Sequence, residues 1–191
     1  MLKLTLRDVY PPALYEPIRD DMRRRIIALK KARRVGLGPN LTLVFENRAT
    51  MIFQVCEMLR AEGIVEPQRI QAEIDVYNSL LPDPGELSAT LFVEITAEAD
   101  IRPVLRRMVG IDAHVALEVD GRRASAVFEA GRSEEERVSS VQYVRFPLDA
   151  AARRALATAG ASLALVSDLP GYEHRAALPE ETRLSLAADL A

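Results

Sequence analysis

The dominant spacing of apolar residues changes at the turn sequence PDPG of residues 82–85. Before that turn, apolar residues recur mainly every three or four positions, which is typical of amphipathic helices. After it they alternate with polar residues, as from Leu91 to Ile95, which is typical of strands. The change predicts an α+β fold. We expect an N-terminal helical layer, at about residues 10–82, packed against an antiparallel sheet of about five or six strands in the part from about 86 to 191.

The chain contains no linker rich in glycine or serine and no internal repeat, so we expect a single compact domain over residues 1–191. Its one cysteine excludes an intramolecular disulfide and fits a reducing compartment. The N-terminus lacks the apolar core and cleavage site of a signal peptide, and no apolar run is long enough for a membrane helix. We therefore expect a soluble, cytoplasmic protein without a membrane partner.

The stretch FENRATMIFQVCEMLRAEG, residues 45–63, follows a short alternating segment and predicts a helix that ends at Gly63. Its apolar residues cover more than half of the helix circumference, and Glu46 belongs to the narrow polar strip that remains. A helix of this kind lies in a core or at a subunit interface. The wide apolar surface therefore favours an interaction protein that forms a homo-oligomer.

Two opposite charges lie on the apolar faces of neighbouring predicted helices. Arg48 falls inside the apolar arc of the first, and Glu73 falls on the apolar face of the second, which begins at Pro67. One interpretation is a buried Arg48–Glu73 salt bridge that sets how the helices pack, because a buried charge needs a partner. Another is that Glu73, with Glu57 or Tyr77, lines a ligand or metal pocket. A third is that one of the two charges reaches solvent.

The sequence gives little support to standard enzyme chemistry. It contains none of the motifs HExxH, CxxC, GxGxxG, GxxxxGK or GxSxG. Cys56 lies on the apolar arc without a cationic neighbour in sequence, which favours core packing over redox sensing. Whether the protein is an enzyme stays open, the catalytic and metal-binding residues stay unassigned, and we expect no cofactor.

Polar residues follow one face of the predicted strands. Thr90 and Glu94 alternate with apolar residues, as do His114 and Glu118, and Arg145 lies in a later strand. Histidine with a carboxylate can bind a divalent metal or act as acid and base. An antiparallel sheet commonly leaves one face to water, however, and a solvated face is the favoured interpretation. Glu94, His114 and Arg145 are kept as ligand-binding candidates.

A basic helix is predicted from Pro17 to about Arg34, and the stretch VGLGPN at 35–40 is interpreted as its cap and a turn. Two aspartates, Asp20 and Asp21, interrupt its set of basic side chains, and the whole chain has a net charge of −3. This balance argues against nucleic-acid binding. It favours a solvated face or a docking surface for an acidic protein partner.

Three stretches carry a resemblance to a known family: ENRATMIFQVCEMLRAEGI, EIDVYNSLLPDPGELSATLFVEI and SSVQYVRFPL. They resemble an uncharacterised bacterial domain-of-unknown-function family, over most of the chain from RDVYPP to FPL. Genes of that family often lie beside those for rubrerythrin and for an iron–sulfur oxidoreductase-like protein. The resemblance implies a role near peroxide handling or electron transfer, with one of those proteins as partner. The sequence lacks the cysteine cluster or paired Glu-x-x-His helices of a redox centre.

Two functions remain open at this stage. The first is an accessory or interaction protein of a redox or oxidative-stress module. The second is a metal- or small-ligand-binding enzyme that uses carboxylates and histidine on the polar sheet face or between the helices. Its candidate binding residues are Arg48, Glu57, Glu73, Tyr77, Glu94, His114 and Arg145.

Overall fold

The fold combines helices with antiparallel sheets in a computed structural model that describes residues 1–97, 101–129, 133–134 and 137–190. Its α-helices are α1 (Pro12–Tyr15), α2 (Arg19–Lys31), α3 (Arg48–Glu62), α4 (Pro67–Leu80), α5 (Ile101–Arg107), α6 (Ala150–Ala157) and α7 (Glu180–Ala187). Its strands are β1 (Arg34–Leu37), β2 (Leu41–Glu46), β3 (Glu86–Val93), β4 (Val115–Val119), β5 (Arg122–Ser125), β6 (Val127–Phe128), β7 (Ser133–Glu134), β8 (Arg137–Val138), β9 (Val141–Pro147), β10 (Leu163–Leu169) and β11 (Tyr172–Ala177). The predicted α+β class is confirmed.

The strands form a five-stranded sheet in the order β1-β2-β3-β9-β6 and a four-stranded sheet in the order β11-β10-β4-β5. Strands β7 and β8 pair with each other. The larger sheet has the predicted number of strands. The second sheet is not evident from alternation, because alternation reveals the period of a strand and not the strand with which it pairs.

The main core lies between the two sheets. Alternate residues of both sheets form one buried apolar cluster, in which the Phe45 and Phe146 ring centroids are 5.8 Å apart. The buried Tyr172 hydroxyl joins the sheets, because it donates to the Leu37 carbonyl at 2.7 Å and accepts from the Leu41 N–H at 3.1 Å. This core fixes the five-stranded sheet from its inner face.

Helix α3 begins and ends where its sequence provides caps. The Asn47 side chain accepts from the Thr50 N–H at 3.1 Å, while the Thr50 hydroxyl oxygen accepts from the Asn47 N–H at 2.9 Å. Gly63 ends the helix in the left-handed conformation, with a φ of 62°. The structure therefore confirms the helix but starts it at Arg48. Glu46, which the sequence places in the helix, is the last residue of β2.

A second core holds the helices together. It contains buried side chains of α3 and α4, such as Met51, Leu59 and Ile74, with Tyr15 of α1. Helices α3 and α4 also approach the outer face of the five-stranded sheet, where the candidate site lies. No helix of the described part is long and apolar enough to cross a membrane.

The interpretation of residues 35–40 as a helix cap and turn is wrong for their first half. Helix α2 ends at Lys31, and β1 pairs with β2 so that Val35 and Leu37 enter the main core. The sequence also predicts a helix at about 98–108, which α5 confirms in part, and a polar loop at 132–137 where β7 and β8 begin. Residues 98–100, 132 and 135–136 of those two predictions lie outside the described residues.

Candidate functional site

A pocket of about 200 Å³ lies between the outer face of the five-stranded sheet and helices α3 and α4; we call it the sheet pocket. Its polar lining consists of Glu46, Ser79, Ser88, Glu129, Tyr143 and Arg145. Its main apolar lining consists of Met51, Leu80, Val127 and Phe128. Polar groups from three strands therefore converge beneath an apolar cover, which is the usual composition of a small-molecule site.

Strand register explains why these polar groups meet. Glu46 of β2 is opposite Ser88 of β3, and Ser88 is opposite Arg145 of β9. Because side chains two apart point to the same face, Thr90 and Tyr143 form the next row on that face. The apolar residues between them point into the main core. Thus each strand contributes to the core on one face and to the pocket on the other.

Glu46 is the most unusual group in the sheet pocket, because it is only 4% exposed. Its Oε1 accepts from the Thr90 hydroxyl at 3.0 Å and lies 3.5 Å from the Lys30 ammonium. Its Oε2 is buried and accepts no hydrogen bond from any described residue. Leaving a buried acceptor unpaired costs about 1–3 kcal/mol. The contacts of Oε1 therefore hold the carboxylate in place, while Oε2 can still accept a hydrogen bond.

Ser88 presents a second unpaired group beside it. Its side chain is 4% exposed, and its Oγ makes no hydrogen bond within the described ranges. Ser88 lies directly across the strand pair from Glu46. A hydroxyl can donate or accept, whereas an ionised carboxylate only accepts. One bound molecule with a donor could therefore reach both side chains.

Arg145 lies on the other side of Ser88 from Glu46, on strand β9. Its guanidinium donates to the Ser79 carbonyl at the end of α4, and it lies 3.4 Å from the Asp83 carboxylate and 3.8 Å from that of Glu86. These contacts attach the end of α4 to β9. The positive charge of Arg145 is therefore already shared between two carboxylates.

Among the sequence-predicted residues, Arg145 alone lines the sheet pocket. Tyr77 lies on α4 and is half-buried. Burial, with smaller contributions from Tyr143 and Glu73, raises the pKa of Tyr77. Tyr143 and Glu73 therefore both lie close enough to Tyr77 to act on it electrostatically. Neither residue is part of the pocket wall.

The predicted Arg48–Glu73 salt bridge is wrong. Arg48 pairs instead with Asp8, at 2.5 Å, and its hydrogen bond holds the pKa of the Asp8 carboxyl below the ordinary value. The N-terminal segment packs against α3 and supplies this partner, which helix periodicity does not reveal. Glu73 is half-buried on α4 and makes no salt bridge within the part of the chain described here.

Glu57 is occupied by a different network. It accepts from the Tyr15 hydroxyl at 2.7 Å and twice from the Arg19 guanidinium, at 2.7 and 2.8 Å. The hydrogen bond from Arg19 lowers the pKa of Glu57, and burial beside Glu57 raises the pKa of Tyr15. These contacts fasten α1 and α2 to α3, which is a structural role.

Glu94 and His114 lie on exposed parts of the two sheets. Glu94 pairs with Arg34 and accepts from the Thr42 hydroxyl at 2.8 Å. His114 Nδ1 lies 2.8 Å from Asp168, which Arg123 also contacts at 2.7 Å. The hydrogen bond with His114 lowers the pKa of Asp168, with Arg123 adding to the effect. These candidates do not converge on one site.

The buried environment of Cys56 matches its predicted packing role. Its Sγ accepts from the Tyr10 N–H at 3.4 Å, and burial raises the pKa of the thiol. A thiol with a raised pKa is a poor nucleophile at neutral pH. Within the described ranges, no group of three or more His, Cys, Asp or Glu side chains is arranged to hold a metal ion.

Sequence reasoning missed Glu46 and Ser88. The sequence predicts Glu46 on the polar strip of a helix, whereas it ends β2 in the structure. The alternation from Leu41 to Glu46 indicates the true position, because it extends the strand to Glu46 and points the Glu46 side chain to the face opposite to that of Phe45. Thr90 was expected on a solvated face, but helices cover that face and leave Thr90 only 5% exposed.

Comparison with known proteins agrees with the sequence resemblance. The family model described as Protein of unknown function (DUF3501) matches residues 3–190. A crystal structure of a novel protein of unknown function from Burkholderia pseudomallei K96243 is similar, with a TM-score of 0.91 and 36% sequence identity over 100% of both chains. A comparison with curated proteins finds no match. The chain belongs to the DUF3501 family.

Proposed function

We propose that this protein binds a small molecule in the sheet pocket, with Glu46 Oε2 as the acceptor that holds it. The observation that supports the proposal is the buried, unpaired oxygen of Glu46 beside the unpaired hydroxyl of Ser88. Proteins pair nearly all buried polar groups, and the exceptions call for a physical reason. A ligand that donates to Glu46 supplies that reason.

The size of the pocket favours an organic ligand over a single bridging water. A water molecule takes up about 30 Å³ of liquid volume. The sheet pocket has about 200 Å³, and part of its wall is formed by the apolar side chains of Met51, Leu80 and Val127. Water gains little from apolar walls, whereas a ligand with a small apolar body loses unfavourable hydration there.

The charges around the pocket define the chemistry of this ligand. Glu46 requires an N–H or O–H donor, and Ser88 can bond to the same group. Arg145 is already engaged by Ser79 and Asp83, so an anionic ligand would have to break existing contacts. We therefore propose a neutral or cationic molecule that carries a hydroxyl or amine group on a small apolar body.

Three compounds that share a phenyl ring with one attached carbon test this proposal: benzylamine, benzyl alcohol and benzoate. Each is titrated into the protein while the backbone amide resonances are followed by NMR. We expect the amine or the alcohol to shift resonances of residues around Glu46 and Ser88, and benzoate to leave them unchanged. Failure of all three to perturb these resonances, or equal binding of benzoate, would contradict the proposal.

Glu46→Gln provides the matched variant. Glutamine keeps an acceptor for the Thr90 hydroxyl and replaces Oε2 by an amide that itself donates. Binding of benzylamine should weaken about tenfold or more, since its ammonium only donates and would face the amide N–H groups in place of a carboxylate oxygen. Glu94→Gln removes a carboxylate outside the pocket, and its affinity should equal that of the unaltered protein. If both variants bind the ligand with equal affinity, Glu46 does not bind it.

A second candidate function is an accessory protein of a redox or oxidative-stress module, in the cytoplasm and as a homo-oligomer. Exposed apolar side chains on and before the first helices favour it: Tyr10 is 40%, Leu14 65% and Ile27 60% exposed. Exposed apolar groups that lie together commonly mark interfaces. Cys56 is buried, so in this proposal the redox centre belongs to the partner.

The test of this second candidate uses purified rubrerythrin and an iron–sulfur oxidoreductase. Size-exclusion chromatography with light scattering gives the mass of the protein alone and of each mixture. We expect an oligomer, and a complex with one of the two redox proteins that changes its rate of peroxide reduction or electron transfer. A strict monomer that forms neither complex would contradict this candidate.

A further inference from the structure

Helix α2 carries a local charge that is opposite in sign to that of the whole chain. It contains six basic and two acidic residues, whereas the chain has a net charge of −3. Arg23, Arg25 and Lys31 form no ion pair with any described residue. The remaining cations of α2 are bound, such as Arg19 to Glu57 and Lys30 to Glu46. The unpaired cations therefore give this helix a positive face.

An open apolar groove runs beside these cations, between α2 and α3; we call it the α2–α3 groove. Two adjoining hollows of about 440 and 500 Å³ share Ile26 at their boundary. The floor consists of Met22, Ile26 and Leu29 of α2 with Ala49, Ile52 and Phe53 of α3. Arg25 lines the first hollow, and Arg23 and Lys31 line the second.

We infer that the α2–α3 groove binds an acidic amphipathic helix of a partner protein. The apolar floor would receive the partner's apolar side chains, as in other complexes where a helix lies in a groove between helices. The unpaired cations would face carboxylates on the flanks of that helix, which adds specificity and speeds association. Helix α2 has 13 residues and is therefore about 20 Å long, which matches three or four turns of a bound helix.

The groove fits an acidic protein segment better than nucleic acid. Nucleic-acid surfaces are read mainly through phosphates and base edges, and contacts to phosphates dominate affinity. The floor of this groove is apolar, and apolar side chains offer a phosphate group no hydrogen-bond donor. An acidic amphipathic segment satisfies both the floor and the cations. This inference rests on the second candidate function, and it is independent of the sheet pocket.

Fluorescence anisotropy with a labelled helical peptide tests the inference. The peptide has the length of α2, with leucines three and four residues apart and glutamates on the other face. A second peptide carries lysine in place of each glutamate. We expect the acidic peptide alone to bind. Equal binding of the two peptides, or none by the acidic one, would overturn the inference.

Variants assign the binding to the groove. The double reversal Arg23→Glu with Lys31→Glu should weaken the acidic peptide about tenfold or more, since it replaces attraction by repulsion. Ile27→Asp, at a 60% exposed position, should weaken it without unfolding the protein. Arg106→Glu, at an exposed position of α5, should leave binding unchanged. An unchanged affinity in the double reversal would overturn the inference.

Two other occupants give distinguishable results. If a labelled DNA duplex binds more tightly than the acidic peptide, and the double reversal abolishes it, the groove binds nucleic acid instead. If light scattering shows an oligomer that Ile27→Asp separates into monomers, a second copy of the chain occupies the groove. Either result would overturn an acidic helix as occupant. The NMR titration of the sheet pocket does not depend on any of these outcomes.

Discussion

The two faces of the five-stranded sheet are built from the same strands and have opposite properties. The inner face is apolar and closed against the four-stranded sheet, with Phe45, Leu91 and Phe146 each 0% exposed. The outer face carries Glu46 and Ser88, which are also buried but leave polar atoms unpaired. Burial alone therefore does not distinguish structure from function here. The difference lies in whether each buried group has a partner.

In the function that we propose, one face of the sheet supports stability and the other supports binding. The inner face contributes apolar burial, which is the main source of folding free energy. The outer face has polar groups held in register by the strands, and the helices cover it without filling it. Substitutions on the inner face should therefore affect stability alone, whereas those on the outer face should affect ligand binding as well.

The largest effect is expected from Phe45→Ala on the inner face. Removal of this fully buried ring should lower the free energy of unfolding by about 3–5 kcal/mol. Urea denaturation followed by circular dichroism measures the change. Val127→Ala, at a 55% exposed position on the pocket rim, should change it by less than about 0.5 kcal/mol.

The same variant tests the prediction of a single domain. If residues 1–191 form one cooperative unit, Phe45→Ala should also lower the hydrogen-exchange protection of Leu59 and Ile74 in the helical core. Protection that stays unchanged there would show that the two cores unfold independently, and the single-domain prediction would then be wrong.

A smaller loss is expected from Thr90→Val on the outer face. Valine has the shape of threonine but cannot donate to Glu46 Oε1, so a buried carboxylate loses one of its contacts. The free energy of unfolding should fall by about 1–3 kcal/mol. Ligand affinity in the NMR titration should fall as well, because Glu46 is no longer held in position. A loss of stability without any loss of affinity would show that Thr90 does not position Glu46 for binding.

Ser88→Ala should change the free energy of unfolding in the opposite direction to Thr90→Val. It removes an unpaired buried hydroxyl, so the protein without ligand should become more stable by up to about 1 kcal/mol. Affinity for the amine or alcohol should fall in the same variant. Thermal unfolding with and without ligand measures both effects. A destabilised Ser88→Ala protein would indicate that the hydroxyl has a structural partner.

How much of this could be predicted from the sequence depends on the range of each interaction. The change of period at residues 82–85 gave the fold class, and the Pro67 and Gly63 signals placed the ends of helices correctly. Those signals are local, since caps and turns depend on neighbouring residues. The family resemblance was likewise carried by contiguous stretches and is confirmed.

The site could not be predicted because it depends on contacts between distant residues. Glu46 and Ser88 meet through the pairing of β2 with β3, which are separated in the chain by two helices. Arg48 pairs with Asp8, 40 positions earlier, rather than with a residue of the adjacent helix. Periodicity shows which residues share a face, but not what covers that face.

The smallest effect concerns a carboxylate that is fully paired, in contrast to Glu46. Arg19 holds the pKa of Glu57 below its ordinary value of 4.5. The folded state therefore gains stability above that pH, and the gain is lost as pH falls through the lowered pKa. Because Glu57 is partly exposed, the contribution should be less than about 1 kcal/mol. Glu57→Gln should reduce the loss of stability between neutral and acidic pH, measured by urea denaturation. An unchanged pH dependence would show that this pair does not contribute.

The most direct test of the central claim is a high-resolution crystal structure of the protein soaked with benzylamine or benzyl alcohol. The proposal predicts a ligand in the sheet pocket, with its donor atom about 2.7–3.2 Å from Glu46 Oε2 and near Ser88 Oγ. A structure in which both oxygens of Glu46 bond to protein groups, and the pocket holds only water, would contradict it.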